Sequence, residues 1–376
     1  MASLLFENGL FLEGESFGAL GVAVGEAVFN TAMCGYQEIA SDPSYYGQFV
    51  VFSAPEIGVV GVNHQDLESS SCCSGILVRH APRVYSNFRA QGSLSAWLQK
   101  RQVLGICGLD TRAIVGMLRD EGAMQLAIST TPIGKSALEE ILKNTPRLRD
   151  LNVIPMVSHK ATPPTHGHYD FHTLDYKPLT RVKKHIGVMD FGIKQSILNN
   201  LGAVGLGVRL YGHENKAERI LEDYKQGLIG GVLLSNGPGD PLKLKEATRE
   251  IALLIEAGIP LCGICLGHQL LSLAHGHPTY KLKFGHHGSN HPVLNCHTGR
   301  IEISAQNHNY CVPESLASIA TITHKNLFDG TIEGVAYKNS PIVSVQHHPE
   351  ASPGPSDGLY IFKEFARLVS DHTSKN

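Results

Sequence analysis

Tryptophan occurs once and methionine six times in the 376 residues, charge of neither sign dominates, and no long apolar run interrupts the chain. These scarcities exclude several classes. A formal net charge of -2 gives no general attraction to phosphate backbones or anionic lipid, which favour basic surfaces, so no nucleic acid partner is expected. A membrane span would need about 18 or more apolar residues in a row, and none is present. The start, Met1-Ala2-Ser3-Leu4-Leu5-Phe6-Glu7, lacks the basic region of a secretory signal, and a cytoplasmic location is expected. There is no Gly-x-x-x-x-Gly-Lys-[Ser/Thr] loop to cradle a nucleotide phosphate, and internal repeats and low-complexity tracts are also missing.

What is there suits a globular protein. Hydrophobic residues make up 42% and charged residues 18% of a length that exceeds one ordinary hydrophobic core, so two domains are expected. The eight cysteines sit in a long chain without secretory features, where reduced thiols serving mainly as small core residues are the expectation.

The first part opens with Leu4 to Phe6, an Asn8-Gly9 turn and Leu10 to Leu12, which predicts an antiparallel hairpin. Helical periodicity follows at Ser93 to Arg101, Thr111 to Arg119 and Ser136 to Lys143, so residues 1–154 read as a mixed α and β domain. Residues 155–184, with Pro163-Pro164 and the basic Arg181-Val182-Lys183-Lys184, have the composition of a connection. From 185 to 376 the pattern changes. Ile186 to Met189, Gly207 to Tyr211 and Gly231 to Leu234 are short apolar runs separated by helical stretches, and the Leu242 to Ala257 helix puts Ala247, Ile251, Leu254 and Ile255 on one face. Ile259 to Cys262 is the next strand. The repetition predicts an α/β fold with a doubly wound, mostly parallel sheet and a ligand site beyond the carboxyl ends of its strands.

The sharpest local signal is Gly263-Ile264-Cys265-Leu266-Gly267, between that strand and a helix running to His275. Such a turn holds its central residue in a strained conformation and presents it at a helix N-terminus, where negative charge on sulfur is favoured. The N-H of Leu266 would point to where an oxyanion forms. A plain strand-to-helix turn around a buried cysteine would read the same way. A thiol nucleophile needs a base, and Gln346-His347-His348-Pro349-Glu350 follows the apolar run Ile342 to Val345. Residues i and i+2 of an extended segment share a face, so His348 and Glu350 can serve as base and orienter while His347 faces away.

Together, Gly-Ile-Cys-Leu-Gly-His-Gln and His-Pro-Glu resemble the Cys-His-Glu triad of class I glutamine amidotransferases, here Cys265, His348 and Glu350. Ser235-Asn236-Gly237-Pro238-Gly239-Asp240-Pro241 resembles that family's oxyanion loop, which implies that the Gly237 N-H joins that of Leu266. Asp190-Phe191-Gly192, Phe284 to Pro292, Gln306-Asn307-His308 and Ala351 to Pro355 agree, and Gly25 to Thr31, Gly35 to Ile39, Ser41 to Tyr45 and Asp110-Thr111-Arg112 narrow the resemblance to carbamoyl-phosphate synthetase small chains.

That resemblance implies a glutaminase that hydrolyses L-glutamine to glutamate and ammonia. It implies a separate large subunit, in a heterodimer or a higher assembly, that carries ATP and magnesium and makes carbamoyl phosphate for arginine or pyrimidine synthesis. No cofactor or metal is expected in this chain. Ser44, Gly239, Gln269, Asn307, Asn309 and Tyr310 would line the glutamine pocket. Asn309 and Tyr310 stand where Gly-Phe is usual, and asparagine tolerates a left-handed backbone; His347 stands where glycine is usual. Three rivals carry less. The histidines 286, 287, 291, 308, 347 and 348 lack a metal-binding spacing, Cys262 and Cys265 form a bare Cys-x-x-Cys, and a non-catalytic interaction subunit would have no need of the triad.

Overall fold

A computed structural model describes residues 1–159, 161–170, 172–179 and 181–373, which fall into two units. The first comprises Met1–Val153 with Lys283–Gly288, and the second comprises Ile154–Leu282 with Ser289 onward.

The first unit is built on a closed barrel of seven strands: β1 (Ala2–Phe6), β2 (Phe11–Ser16), β3 (Val22–Asn30), β4 (Gln48–Phe52), β5 (Gly75–Leu77), β6 (Leu104–Cys107) and β7 (Met124–Ser129). The β1–β2 hairpin is antiparallel, as its Asn8-Gly9 turn predicts, and β3 to β6 continue as parallel neighbours. Helices α1 (Tyr36–Ser41), α2 (Leu94–Lys100), α3 (Thr111–Glu121) and α4 (Lys135–Asn144) complete it, with Ser93 and Asp110 accepting from the first-turn amides of α2 and α3. Alternate residues of β4 join different cores. Phe49 and Val51 pack with Ile114 and Leu118 of α3, whereas Val50 and Phe52 pack with Leu94 and Leu98 of α2.

In the second unit a nine-stranded sheet runs in the order β11-β10-β12-β13-β18-β17-β16-β14-β15. Its parallel half is β10 (Lys184–Asp190), β11 (Leu206–Gly212), β12 (Val232–Leu234), β13 (Leu261–Ile264) and β18 (Ile342–Val345), and the antiparallel extension is β14 (Tyr280–Asn295), β15 (Ile301–Cys311), β16 (Ala320–Asn326) and β17 (Ile332–Tyr337). Helices α5 (Gln195–Ala203), α6 (Ala217–Lys225), α7 (Lys245–Glu256), α8 (Leu266–Ala274) and α9 (Tyr360–Thr373) belong to this unit. Helix α7 buries Ala247, Ile251 and Leu254, the stripe its periodicity predicts, although Pro241–Lys243 form a separate 3-10 turn ahead of it. Strand order reverses at β10, where β11 lies to one side and β12 to the other, and the loops leaving β10, β12, β13 and β18 carry the site described below.

Residues 155–184 group with the second unit and carry an antiparallel hairpin, β8 (His166–Asp170) and β9 (Asp175–Pro178), tied to α5 by Gln195 Nε2 donating to Pro164 O (2.8 Å) and His166 N to Asn199 Oδ1 (3.3 Å). Of that stretch, residues 160, 171 and 180 lie outside the described ones. All eight cysteines are free thiols, and Cys34 and Cys296 are exposed rather than core residues.

Candidate active site

The chain turns from β13 into α8 at Cys265, a non-glycine residue held at φ 53 and ψ -103. The flanking glycines are required by space: a Cβ at Gly267 would collide with Leu234 O, and one at Gly263 would sit 2.7 Å from the Gly267 carbonyl carbon. Cys265 N donates to Val345 O of β18 (2.9 Å), which ties the elbow to the strand that leads to His348. Being first in α8, Leu266 has an N-H with no acceptor inside the helix. The Cys265 side chain is buried, and its Sγ lies 3.6 Å from Asn307 O.

The loop after β12 lies against this elbow. A Cβ on Gly237 would run into Phe191 O and come within 2.8 Å of the Leu266 side chain, so the Gly237 and Leu266 amides belong to neighbouring backbones. Ser235 O accepts from Gly267 N (3.1 Å), and Ser235 Oγ accepts from Phe191 N (2.9 Å). Asp190 shapes the adjoining turn by accepting from Gly192 N (2.9 Å), Ile193 N (2.8 Å) and His159 N (2.6 Å). Burial opposes its charge, yet the His159 hydrogen bonds and the turn amides hold its carboxyl below the ordinary carboxylate range.

His348 donates its main-chain N-H to Ala305 O (2.9 Å), and its Nδ1 is 2.6 Å from Glu350 Oε1. Both side chains are buried. Burial alone would lower the imidazole's affinity for a proton, but Glu350 and the Cys265 sulfur outweigh it and hold His348 up at about 10. The Glu350 carboxyl is likewise disfavoured as an anion by burial, and is nevertheless held at about 2 by Lys194 and His348. Nε2 of His348, left over from the Glu350 contact, is the nitrogen available to the thiol.

Lys194 escaped the sequence reading. Its Nζ lies 3.0 Å from Glu350 Oε1 and donates to Ala351 O (2.8 Å) and Ser352 O (3.0 Å), with the side chain 3% exposed. The available signal was position, because it ends the same Asp190-Phe191-Gly192 turn that faces the Ser235 loop.

The remaining candidates divide. Gln269 donates to Tyr310 O (2.8 Å) and to Gln346 Oε1 (3.1 Å), joining α8, β15 and the segment that carries His348. Asn307, Asn309 and Tyr310 all lie on β15, and Gly239, at φ 92, sits in the loop after β12. Asn309 is ordinary strand, without positive φ, so the left-handed tolerance of asparagine is not used. Ser44 belongs to the first unit, buried in a 3-10 turn where its N-H donates to Asp42 Oδ1 (2.8 Å). Cys262 lies on β13 with its thiol pushed up to about 12 by burial and by Glu364, which suits packing and not thiol exchange.

Among known proteins, residues 187–368 match the family described as glutamine amidotransferase class-I. Residues 4–128 match the carbamoyl-phosphate synthase small chain, CPSase domain. A carbamoyl phosphate synthase small chain of Helicobacter pylori is 58% identical over 99% of this chain and 100% of its own length. Those of Campylobacter jejuni and Aquifex aeolicus are 49% and 44% identical, over 98% of this chain in each case and 100% and 98% of theirs. The chain belongs to the carbamoyl phosphate synthase small chain family, a family of glutamine amidotransferases. No described helix is long and apolar enough to cross a membrane.

Proposed function

We propose that this chain is a glutaminase subunit in which Cys265, His348 and Glu350 hydrolyse L-glutamine and the ammonia passes to a large synthetase subunit. The observation that carries the reading is the strained Cys265 at an elbow tied to β18, with His348 and Glu350 2.6 Å apart just beyond that strand.

The Cys265 thiolate attacks the carboxamide carbon, and the Leu266 and Gly237 amides receive the oxyanion that forms. With its pKa near 10, His348 carries a proton at neutral pH, and that proton goes to the nitrogen as the C–N bond breaks. Ammonia leaves and a γ-glutamyl thioester stays on Cys265. The now neutral His348 takes a proton from water, hydroxide adds to the thioester carbonyl, and collapse releases glutamate and the thiolate. Throughout, Glu350 keeps the imidazole oriented through Nδ1 and stabilises its charge. Gly239, Gln269, Asn307, Asn309 and Tyr310 are the proposed glutamine contacts of the second unit. ATP, magnesium and bicarbonate belong to the large subunit, which completes carbamoyl phosphate.

The test is Cys265→Ser in the assembled enzyme. Glutamine hydrolysis should fall by a factor of about a thousand or more, while synthesis from free ammonia continues because the amide-cleaving and ATP sites lie on different chains. Glutaminase turnover within about tenfold of the parent would remove Cys265 as the nucleophile.

A further inference from the structure

The chain leaving β18 bends sharply at the residues that carry the proposed base and its carboxylate. Ala351 N donates to His348 O (3.1 Å), which closes a tight turn over His348-Pro349-Glu350-Ala351. Ala351 and the next residue, Ser352, are both held in the left-handed region, at φ 57 and φ 51. Neither is glycine, and an L side chain in that region crowds its own backbone, so the conformation persists only where the surroundings impose it. Two in succession raise the need. Among the described residues six non-glycines have positive φ, and no other two of them are adjacent.

What imposes it comes from α5. Lys194, the N-cap of that helix, is fixed through its main chain, where its N-H donates to Asn236 Oδ1 (3.2 Å) in the loop after β12. Its ammonium, 3.0 Å from Glu350 Oε1, donates to Ala351 O (2.8 Å) and to Ser352 O (3.0 Å). One buried cation thus addresses the carboxylate and both left-handed residues at once. Carbonyls that converge on one ammonium oppose any backbone rotation that would carry either away, since hydrogen bonds to a charged group are the stronger kind. Further along, Ser289 Oγ donates to Pro353 O (3.2 Å), so the far end of the turn is held on β14.

We propose that the Ala351–Ser352 pair is a positioning device: Lys194 holds two strained residues in place, and their left-handed course keeps the Glu350 carboxylate on Nδ1 of His348, where it lies at 2.6 Å. Ala351 and Ser352 touch no reacting atom in this scheme. Released, either residue would relax toward the right-handed or extended region, and a rotation of that size next to Glu350 would swing its side chain off the imidazole. The inference rests on the reading of His348 as the base and Glu350 as its orienter.

A mutant cycle on the assembled enzyme tests it, comparing Lys194→Met in the parent turn and in a turn carrying Ala351→Gly with Ser352→Gly. The readout is kcat for glutamine hydrolysis at neutral pH, where Glu350 still has the His348 imidazolium beside it and stays ionised without Lys194. In the parent turn, Lys194→Met should lower kcat about ten- to a hundredfold, as for a reacting group displaced by about 1 Å, with KM changed less than about threefold. Glycine adopts the left-handed region without strain. With glycine at both positions the same substitution should therefore lower kcat no more than about threefold, a non-additivity that independent sites do not show. An equal loss in both turns, or a folded Lys194→Met with the parent's kcat, overturns the proposal. If Lys194→Met does not fold, Ser352→Val decides with Lys194 in place, because a β-branched residue tolerates positive φ least. Its kcat should fall about tenfold or more below that of Ser352→Gly, and equal values for the two overturn the proposal. Failure of the underlying reading looks different: the parent itself would lack glutaminase activity, or Cys265→Ser would retain it.

Discussion

At Lys194 a cation sits with 3% of its side chain exposed, between the Glu350 carboxylate at 3.0 Å and the main-chain oxygens of Ala351 and Ser352. Glu350 therefore holds two cations, Lys194 and the His348 imidazolium, and each helps to depress its carboxyl. A depressed carboxylate contributes stability that is present above its ordinary value near 4.5 and lost as pH falls through about 2. Lys194→Met removes one cation, so the folded-state pKa of Glu350 rises and part of that contribution disappears across the neutral range. Breaking a buried pair from one side costs about 3–5 kcal/mol, and denaturant titration should read a loss of that order for the second unit. Glutaminase activity should fall as well, with its acid limb displaced to higher pH because Glu350 protonates sooner. An unchanged acid limb in a folded variant would show that Lys194 has no hold on the carboxylate. The proposed Cys265, His348 and Glu350 stand out in sequence because each lies in a short motif. Lys194 does not, since its partner is 156 positions away (350 less 194) and nothing in a local pattern says that a lysine will be buried.

The β13–α8 elbow works only if α8 approaches β12 to within a hydrogen's width of a side chain. At Gly267 an added Cβ would collide with Leu234 O and come within 2.7 Å of the Leu234 carbonyl carbon. Backbone cannot rotate out of the way as a side chain can. Gly267→Ala should therefore destabilise the second unit by about 1–3 kcal/mol, the usual cost of overpacking, and push α8 away from the Ser235 loop. Chemical denaturation measures the first effect. The second should appear as a loss in kcat for glutamine hydrolysis larger than the change in KM, because the Leu266 and Gly237 amides are the proposed oxyanion donors. Wild-type stability in this variant would mean that α8 does not need its close seat on β12. At this scale the helices of the first unit and the alternation of the second were readable, since amphipathic stripes such as Ala247, Ile251 and Leu254 have one dry face. The barrel was not. Its β4 strand is buried on both faces, Phe49 and Val51 in one core and Val50 and Phe52 in another, so the period-2 signal that marks a half-exposed strand is erased.

For the whole molecule, the covalent path of β14 bears on regulation. Lys283–Gly288 belong to the first unit, while the strand continues to Asn295 and leads through the following turn into β15, which carries Asn307 beside the Cys265 sulfur. A displacement of the first unit therefore has a backbone route to the thiol's surroundings. In the proposed function ammonia without a consumer is wasted glutamine, so turnover is expected to be slow in the isolated chain and to rise when the large subunit binds. The distances involved need only be small, since a misplacement of about 1 Å costs roughly a hundredfold in rate. Steady-state glutaminase kinetics on the purified chain, then with stoichiometric large subunit, then with ATP and bicarbonate, should show kcat rising by about 5- to 150-fold, the span of coupling usual between linked sites. The rise should persist when the two chains are mixed at concentrations well above their dissociation constant, which separates coupling from mere stabilisation of a labile chain. Equal specific activity in all three conditions would mean that the two sites are not coupled and that β14 conveys nothing from the first unit to the second.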